Sequence, residues 1–242
     1  MNTNQEVTTG IVLKVVPYKE NDNLLTVYTL DYGRITIHAK GVRKVNSKNA
    51  SATSELTLSE FTFIPKKGIS TLIKASSINY FRRIKEDLKE YVYATYFLEY
   101  ILKVTKENDP DQDLYNLLKV SLEKMEQGIP YLLLYNKFSL AMLEGEGILL
   151  EADECAVCGS LNHIATISIP KLGFVCKNCM DLKDRILDKE VLRLFRHLVR
   201  VPIDKVEMVE YNALTIKEVT KYVEAFVDEY SGIYFQSKKF FK

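Results

Sequence analysis

Arg34-Ile35-Thr36-Ile37-His38-Ala39 alternates polar and apolar side chains without a break. A strand points successive side chains to opposite faces, so Ile35, Ile37 and Ala39 belong to one side and Arg34, Thr36 and His38 to the other. The turn Asp31-Tyr32-Gly33 leads into this run from a second β-rich run, Asn23 to Leu30. A β-branched run, Gly10 to Val16, comes before that one. Beyond Ala39, the stretch Gly41 to Ser54 is rich in Ser, Asn, Lys and Arg and reads as a loop. Leu56 to Ile64 is a fourth strand, and its apolar parity shifts between Leu58 and Phe61, which predicts a bulge. Pro65-Lys66-Lys67-Gly68 turns the chain into a fifth strand, Ile69 to Ile78. Five short strands with one long loop predict a small closed barrel of the oligonucleotide-binding (OB) type. An SH3-like barrel is the structural competitor.

After Phe81 the period changes. Tyr91, Ala94, Leu98, Ile101 and Leu102 recur at helical spacing until Asn108-Asp109-Pro110. Leu114, Leu117, Leu118, Leu122 and Met125 mark the next helix, and Tyr131 to Leu143 starts a third after Gly128-Ile129-Pro130. Short loops between them predict antiparallel packing. Lys189 to Arg200 and Ile216 to Tyr230 read as two further helices. The expected architecture is α+β: an OB-type nucleic-acid-binding domain over residues 1–80, then a helical domain over 81–242.

Inserted in that helical region, at about 150–182, is a module defined by the chain's four cysteines. They form two pairs, Cys155-Ala-Val-Cys158 and Cys176-Lys-Asn-Cys179. This is the spacing of a four-thiolate zinc site. Four protein ligands fill a tetrahedron and leave no position for a reacting water, so the expected role is one structural zinc. Ile164 to Ile169 and Leu172 to Val175 predict a hairpin between the pairs, as in a zinc ribbon. A redox dithiol is the alternative, but it needs only one pair. His163 reads as a surface loop residue beside an already complete ligand set.

Over 242 residues the net charge is only +1, yet its distribution is uneven. Arg34, Lys40, Arg43, Lys44 and Lys48 occur with no acid between Arg34 and Glu55. A barrel with a cationic strand face and loop suits a phosphate backbone, and Lys66 and Lys67 could extend the patch. Tyr28, Tyr32 and Phe61 are candidate stacking platforms, although strand aromatics are more often core. Lys189, Arg193, Arg196 and Arg200 share one helix face and form a candidate secondary DNA contact; a merely solvated face is the competing reading. The sequence contains no phosphate-binding loop, HExxH or GxSxG motif, which points away from an enzyme and from a small-molecule substrate. The polar N-terminus and the absence of a long apolar run predict a cytoplasmic protein with no membrane partner, and DNA binding would make it nucleoid-associated.

The order of these features resembles the RecO family of bacterial DNA repair proteins. Gly10-Ile11-Val12-Leu13 followed by Tyr18-Lys19-Glu20 is similar to the family's opening strand and turn. Thr29, Gly33 and Ala39-Lys40-Gly41-Val42-Arg43-Lys44 resemble its "T…G…AKGxR" signature. The cysteine pairs resemble those of zinc-bearing members, and Gln236-Ser237-Lys238-Lys239-Phe240-Phe241 resembles the "KSRxF" tail. The sequence departs from the pattern at Gly147-Ile148-Leu149-Leu150-Glu151, and at Leu172-Gly173-Phe174, where many members have a Gly-Gly step. The resemblance implies a recombination mediator that binds single- and double-stranded DNA and anneals complementary strands. It also implies association with RecR and the single-strand DNA-binding protein, and help in loading the recombinase. A zinc-ribbon RNA-binding or transcription-associated adaptor is the alternative function.

Overall fold

The computed structural model describes residues 4–241. Five strands close a barrel in the order β1-β2-β3-β5-β4: β1 (Glu6–Tyr18), β2 (Asp22–Thr29), β3 (Gly33–Ala39), β4 (Leu58–Ile64) and β5 (Ile69–Asn79). The long β1 closes it, because its first half pairs with β4 and its second half with β2. β3 and β5 meet in parallel over Thr36–His38 and Ile69–Thr71, with the other pairs antiparallel. The barrel is therefore the OB-type one, and the alternation of β3 holds: Ile35, Ile37 and Ala39 join Val12, Val27, Phe61 and Phe63 in its core. The bulge expected in β4 lies on its partner instead: the β4–β5 register shifts at Leu58/Ser59 and Thr62/Phe63 leave Ile78 and Ile73 as extra residues of β5, while β4 pairs with β1 without a shift.

Helices follow: α1 (Arg82–Glu86), α2 (Leu88–Val104), α3 (Gln112–Glu126) and α4 (Tyr131–Gly145). The cysteine module contributes β6 (Ile164–Ser168) and β7 (Gly173–Cys176), and α5 (Lys189–Arg200) and α6 (Ala213–Tyr230) complete the set. The chain divides into two compact units. The first runs to Gln127 and resumes at Phe235; the second is Gly128–Tyr234. Helices α1–α3 therefore share a unit with the barrel, and the helical region 81–242 falls into two parts.

In the first unit, α3 is tied to the barrel by Tyr115, whose hydroxyl donates to Thr9 Oγ1 at 3.2 Å, and by Tyr28, whose hydroxyl donates to the Asp111 carbonyl at 3.3 Å. Tyr28 and Phe61, two of the candidate stacking platforms, are fully buried and serve as core. Tyr32 packs edge-on against Phe63, and its hydroxyl donates to Glu6. The tail folds back onto α2. Phe235 sits against Tyr96 and Tyr100, and both oxygens of Glu99 accept backbone N–H groups, from Gln236 and Ser237.

In the second unit, the hairpin β6–β7 rests on the helices. Phe174 meets Phe195, which stacks on Phe226, and the Tyr230 hydroxyl donates to the Ile169 carbonyl at 2.8 Å. Gly173 is required here: a Cβ would lie 2.1 Å from the Glu151 carbonyl oxygen, because the Glu151 N–H donates to the Leu172 carbonyl and the Glu151 carbonyl accepts the Phe174 N–H. Leu172 beside it holds a left-handed φ of 52°, which a residue with a side chain seldom adopts.

Candidate nucleic-acid interface and metal centre

Lys40, Arg43, Lys44 and Lys48 are exposed on the loop that follows β3. The base of this loop is fixed. Asp22 accepts the Gly41 backbone N–H at 2.8 Å and lies 2.7 Å from His38 Nε2, and these two contacts hold its carboxyl below the usual range. The Arg43 N–H donates to the Asn21 carbonyl, and Val42 is buried in the barrel core. The far end of the loop is fixed as well. Asn49 Oδ1 accepts the Ala75 N–H of β5 at 3.1 Å, and Ser59 Oγ donates to the Ala52 carbonyl at 2.8 Å. Ordering a flexible cationic loop on a ligand would cost conformational entropy, and much of that cost has been met in folding.

Arg34 stands apart from this group. It is half-buried, its guanidinium donates to the Leu102 carbonyl at 2.8 Å, and its own carbonyl accepts from Asn108. The linker between α2 and α3 thus covers that part of the outer face of β3, with Glu107 bridging to Arg34. Lys66 and Lys67 are exposed in the turn before β5, whose first residue, Ile69, already lies about 20 Å along the strand from Asn49's contact at Ala75, at ~3.3 Å per residue. The structure brings together four of the seven predicted N-terminal cations and places the other three elsewhere. Asp22, which organises the loop, was not singled out from the sequence; its only signal was an acid at the mouth of a strand otherwise rich in apolar residues.

The four cysteine sulfurs all lie within 4.8 Å of one another, and Cys158 and Cys176 are 3.8 Å apart. Zinc–sulfur bonds of about 2.3 Å in a tetrahedron require sulfurs about 3.8 Å apart, so the cluster fits one four-coordinate ion. Each pair forms a turn. The Gly159 N–H donates to the Cys155 carbonyl, and the Cys179 and Met180 N–H groups donate to the Cys176 carbonyl. Burial pushes the Cys155 thiol up, but backbone N–H groups of Cys176, Val157 and Cys158 outweigh it and bring it down to about 6. Cys179 is pushed up to about 12 by its neighbouring sulfurs, Cys158 first. One thiolate forms readily and four together do not, unless a cation neutralises them; this is the chemistry of a metal-ligand set.

Residues 1–81 match the family described as Recombination protein O N terminal, and residues 85–239 match Recombination protein O C terminal. The chain belongs to the RecO family. It is 31% identical over 236 residues to the DNA repair protein RecO of Listeria monocytogenes serotype 4b (strain CLIP80459), covering 96% of this chain and 92% of the relative. It is likewise 31% identical over 234 residues to that of Bacillus pumilus (strain SAFR-032), covering 96% and 91%. Against that of Halalkalibacterium halodurans (strain ATCC BAA-125 / DSM 18197 / FERM 7344 / JCM 9153 / C-125) the figure is 29% over 237 residues, covering 96% and 92%. The RecO-like signature Ala39-Lys40-Gly41-Val42-Arg43-Lys44 is the pinned entry to the cationic loop, and the RecO-like tail is the segment gripped by Glu99.

The stripe on α5 has a different environment. Arg196 Nε lies 2.8 Å from Asp153 Oδ1, and Arg200 pairs with the other oxygen of the same carboxylate. Asp153 stands two residues before the first cysteine. Lys189 and Arg193 of the stripe are exposed. Among the described residues, no helix is long and apolar enough to cross a membrane.

Proposed function

We propose that this RecO-family chain is a non-enzymatic, DNA-binding recombination mediator. It would bind single- and double-stranded DNA, promote annealing of complementary strands, and work with RecR and the single-strand DNA-binding protein in recombinase loading. The observation that carries the reading is the loop after β3: four exposed cations, no acid among them, on a backbone pinned at both ends. Lys40, Arg43, Lys44 and Lys48 hold a strand by its phosphates, which lowers the repulsion between two strands and lets them pair. Arg34 supports the loop's strand rather than touching DNA, and Lys66 and Lys67 form at most an outlying contact. Lys189 and Arg193 remain the free half of the secondary patch on α5. One structural zinc on Cys155, Cys158, Cys176 and Cys179 would supply charge neutralisation and cross-linking for the module.

Annealing of complementary strands coated with the single-strand binding protein tests the reading. The chain accelerates annealing, and replacing Lys40, Arg43 and Lys44 together by Ala abolishes the acceleration. Four phosphate contacts on a single strand give a salt slope of about −2.8, at ~0.7 per contact. No acceleration, or an affinity insensitive to salt, would sink the proposal and favour an RNA or transcription adaptor.

A further inference from the structure

The loop after β3 does not end in open solvent. Its second half forms one wall of a groove of about 520 Å³ whose other wall is β5. Lys48 stands on the loop side, and Ile73 and Lys74 on the strand side. The groove owes its shape to the second register shift of the barrel. Thr62 pairs with Lys74 and Phe63 with Leu72, so Ile73 is the extra residue of a bulge. Strict alternation would send one of two neighbours inward; the bulge instead leaves both Ile73 and Lys74 exposed on the same side. Ala75 resumes the core pattern, and its N–H is the group that Asn49 grips.

The lining is cationic, hydroxylic and apolar, without an acid: Lys48 and Lys74 are joined by Ser51, Ser76 and Ser77. That mixture matches one polynucleotide strand, in which phosphates alternate with the less polar sugar and base faces. A duplex presents its phosphates on a wide convex surface, whereas a groove of about 520 Å³ between a loop and a strand suits a single backbone. The outer face of β3 offers no equal path, because Arg34, Thr36 and His38 contact Leu102, Glu107 and Asp22.

We infer that single-stranded DNA runs from the loop cations into the groove between that loop and β5, where Lys74 makes a phosphate contact opposite Lys48. The inference rests on the DNA-binding reading above and adds a path and a residue to it. The bulge acts as a device for aiming Lys74, and the Asn49–Ala75 hydrogen bond sets the groove's width.

The test measures binding of a short fluorescein-labelled oligothymidine by anisotropy across a salt series, using the full chain. Lys74→Gln and Lys74→Glu should each weaken binding several-fold, and Lys74→Gln should make the salt slope shallower by about 0.7. Lys74→Arg should restore both affinity and slope. Because Lys74 is exposed, the variants should keep the parent's thermal transition, and two replacements of different charge guard against a folding defect in one. Lys44→Glu is measured alongside. Weakening by Lys44→Glu with no change from either Lys74 variant overturns the groove path and leaves the DNA-binding reading intact. No change from any of the variants overturns both.

Discussion

The loop after β3 and the exposed face of α5 carry the same sequence signature, a row of cations, but they meet different surroundings. On the loop, Lys40, Arg43, Lys44 and Lys48 remain exposed, while the one nearby acid that organises the backbone, Asp22, engages Gly41 and His38 instead. On α5, half of the row is neutralised by a single acid, Asp153, which lies 47 residues from Arg200 along the chain. A cation row is left available to a ligand only where the fold brings no acid to it. The α5 arginines thereby fasten the segment that enters the cysteine module.

Metal removal should separate the two regions most strongly. Structural zinc can contribute on the order of 10 kcal/mol to folding a small module. Chelation, or Cys176→Ser, should therefore unfold the hairpin and loosen α5, while the barrel keeps its far-ultraviolet signature and its affinity for DNA. Calorimetry with parallel DNA titration reads this; a loss of DNA binding that accompanies metal loss would show that the module itself contacts DNA.

Within the barrel, Arg34→Ala and the triple replacement of Lys40, Arg43 and Lys44 should give opposite results. Arg34→Ala removes a charge-assisted hydrogen bond to a partly buried carbonyl and should cost about 1.5–3 kcal/mol of stability in denaturant unfolding. Its effect on the salt slope of DNA binding should be negligible. The triple variant should change stability by no more than about 0.5 kcal/mol, as surface replacements usually do, but flatten the salt slope by roughly 2. If Arg34→Ala flattened the slope as much as one loop lysine, the division between supporting and binding cations would collapse.

Asp153→Asn addresses the α5 side with a smaller effect. Exposed ion pairs are worth about 0–1 kcal/mol, so the midpoint of unfolding should shift only slightly. Freed arginines should then raise affinity for duplex DNA if the α5 face can be reached, and unchanged affinity would assign the whole stripe to fastening.

An effect confined to alkaline pH concerns Lys85, which is half-buried, donates to Thr57 Oγ1 and lies 3.5 Å from the Tyr80 ring centre. Burial brings its ammonium down from 10.5 to about 8, against the pull of Glu55 and Glu126. The unfolded chain then holds more protons than the folded one between these values, so Lys85 makes stability rise as pH increases from about 8 towards 10.5. Lys85→Met should abolish that rise in chemical denaturation at graded pH, and persistence of the same slope would assign it to another group.

What the sequence revealed divides along physical lines. The barrel was legible because its interior imposes a period of two, which Ile35, Ile37 and Ala39 meet; the parity change read in β4 did not locate the bulges, which fall on β5 at Ile73 and Ile78. The α5 helix was legible because Leu192, Phe195 and Val199 repeat at helical spacing between polar residues. The cysteine cluster was legible because ligand spacing within each pair is local. Partners supplied from far along the chain were not. Nothing near Arg34 announces the Leu102 carbonyl, nothing in α5 announces Asp153, and the core positions of Tyr28 and Phe61 follow from helix and barrel packing rather than residue type. The short helix Arg82–Glu86 also escaped, being too brief for a period to show.

The return of the tail to α2 has a consequence for how the protein is made. Residues up to Gln127 leave the ribosome well before Phe235, and the aromatic seat between Tyr96 and Tyr100 waits for that side chain. At ~5–20 residues per second, the interval is on the order of ten seconds. During it the barrel can close, but Glu99 and the surface of α2 lack their final cover. The nascent chain therefore passes through a stage with an exposed aromatic surface, because a segment translated after the whole second unit is the one that completes the first.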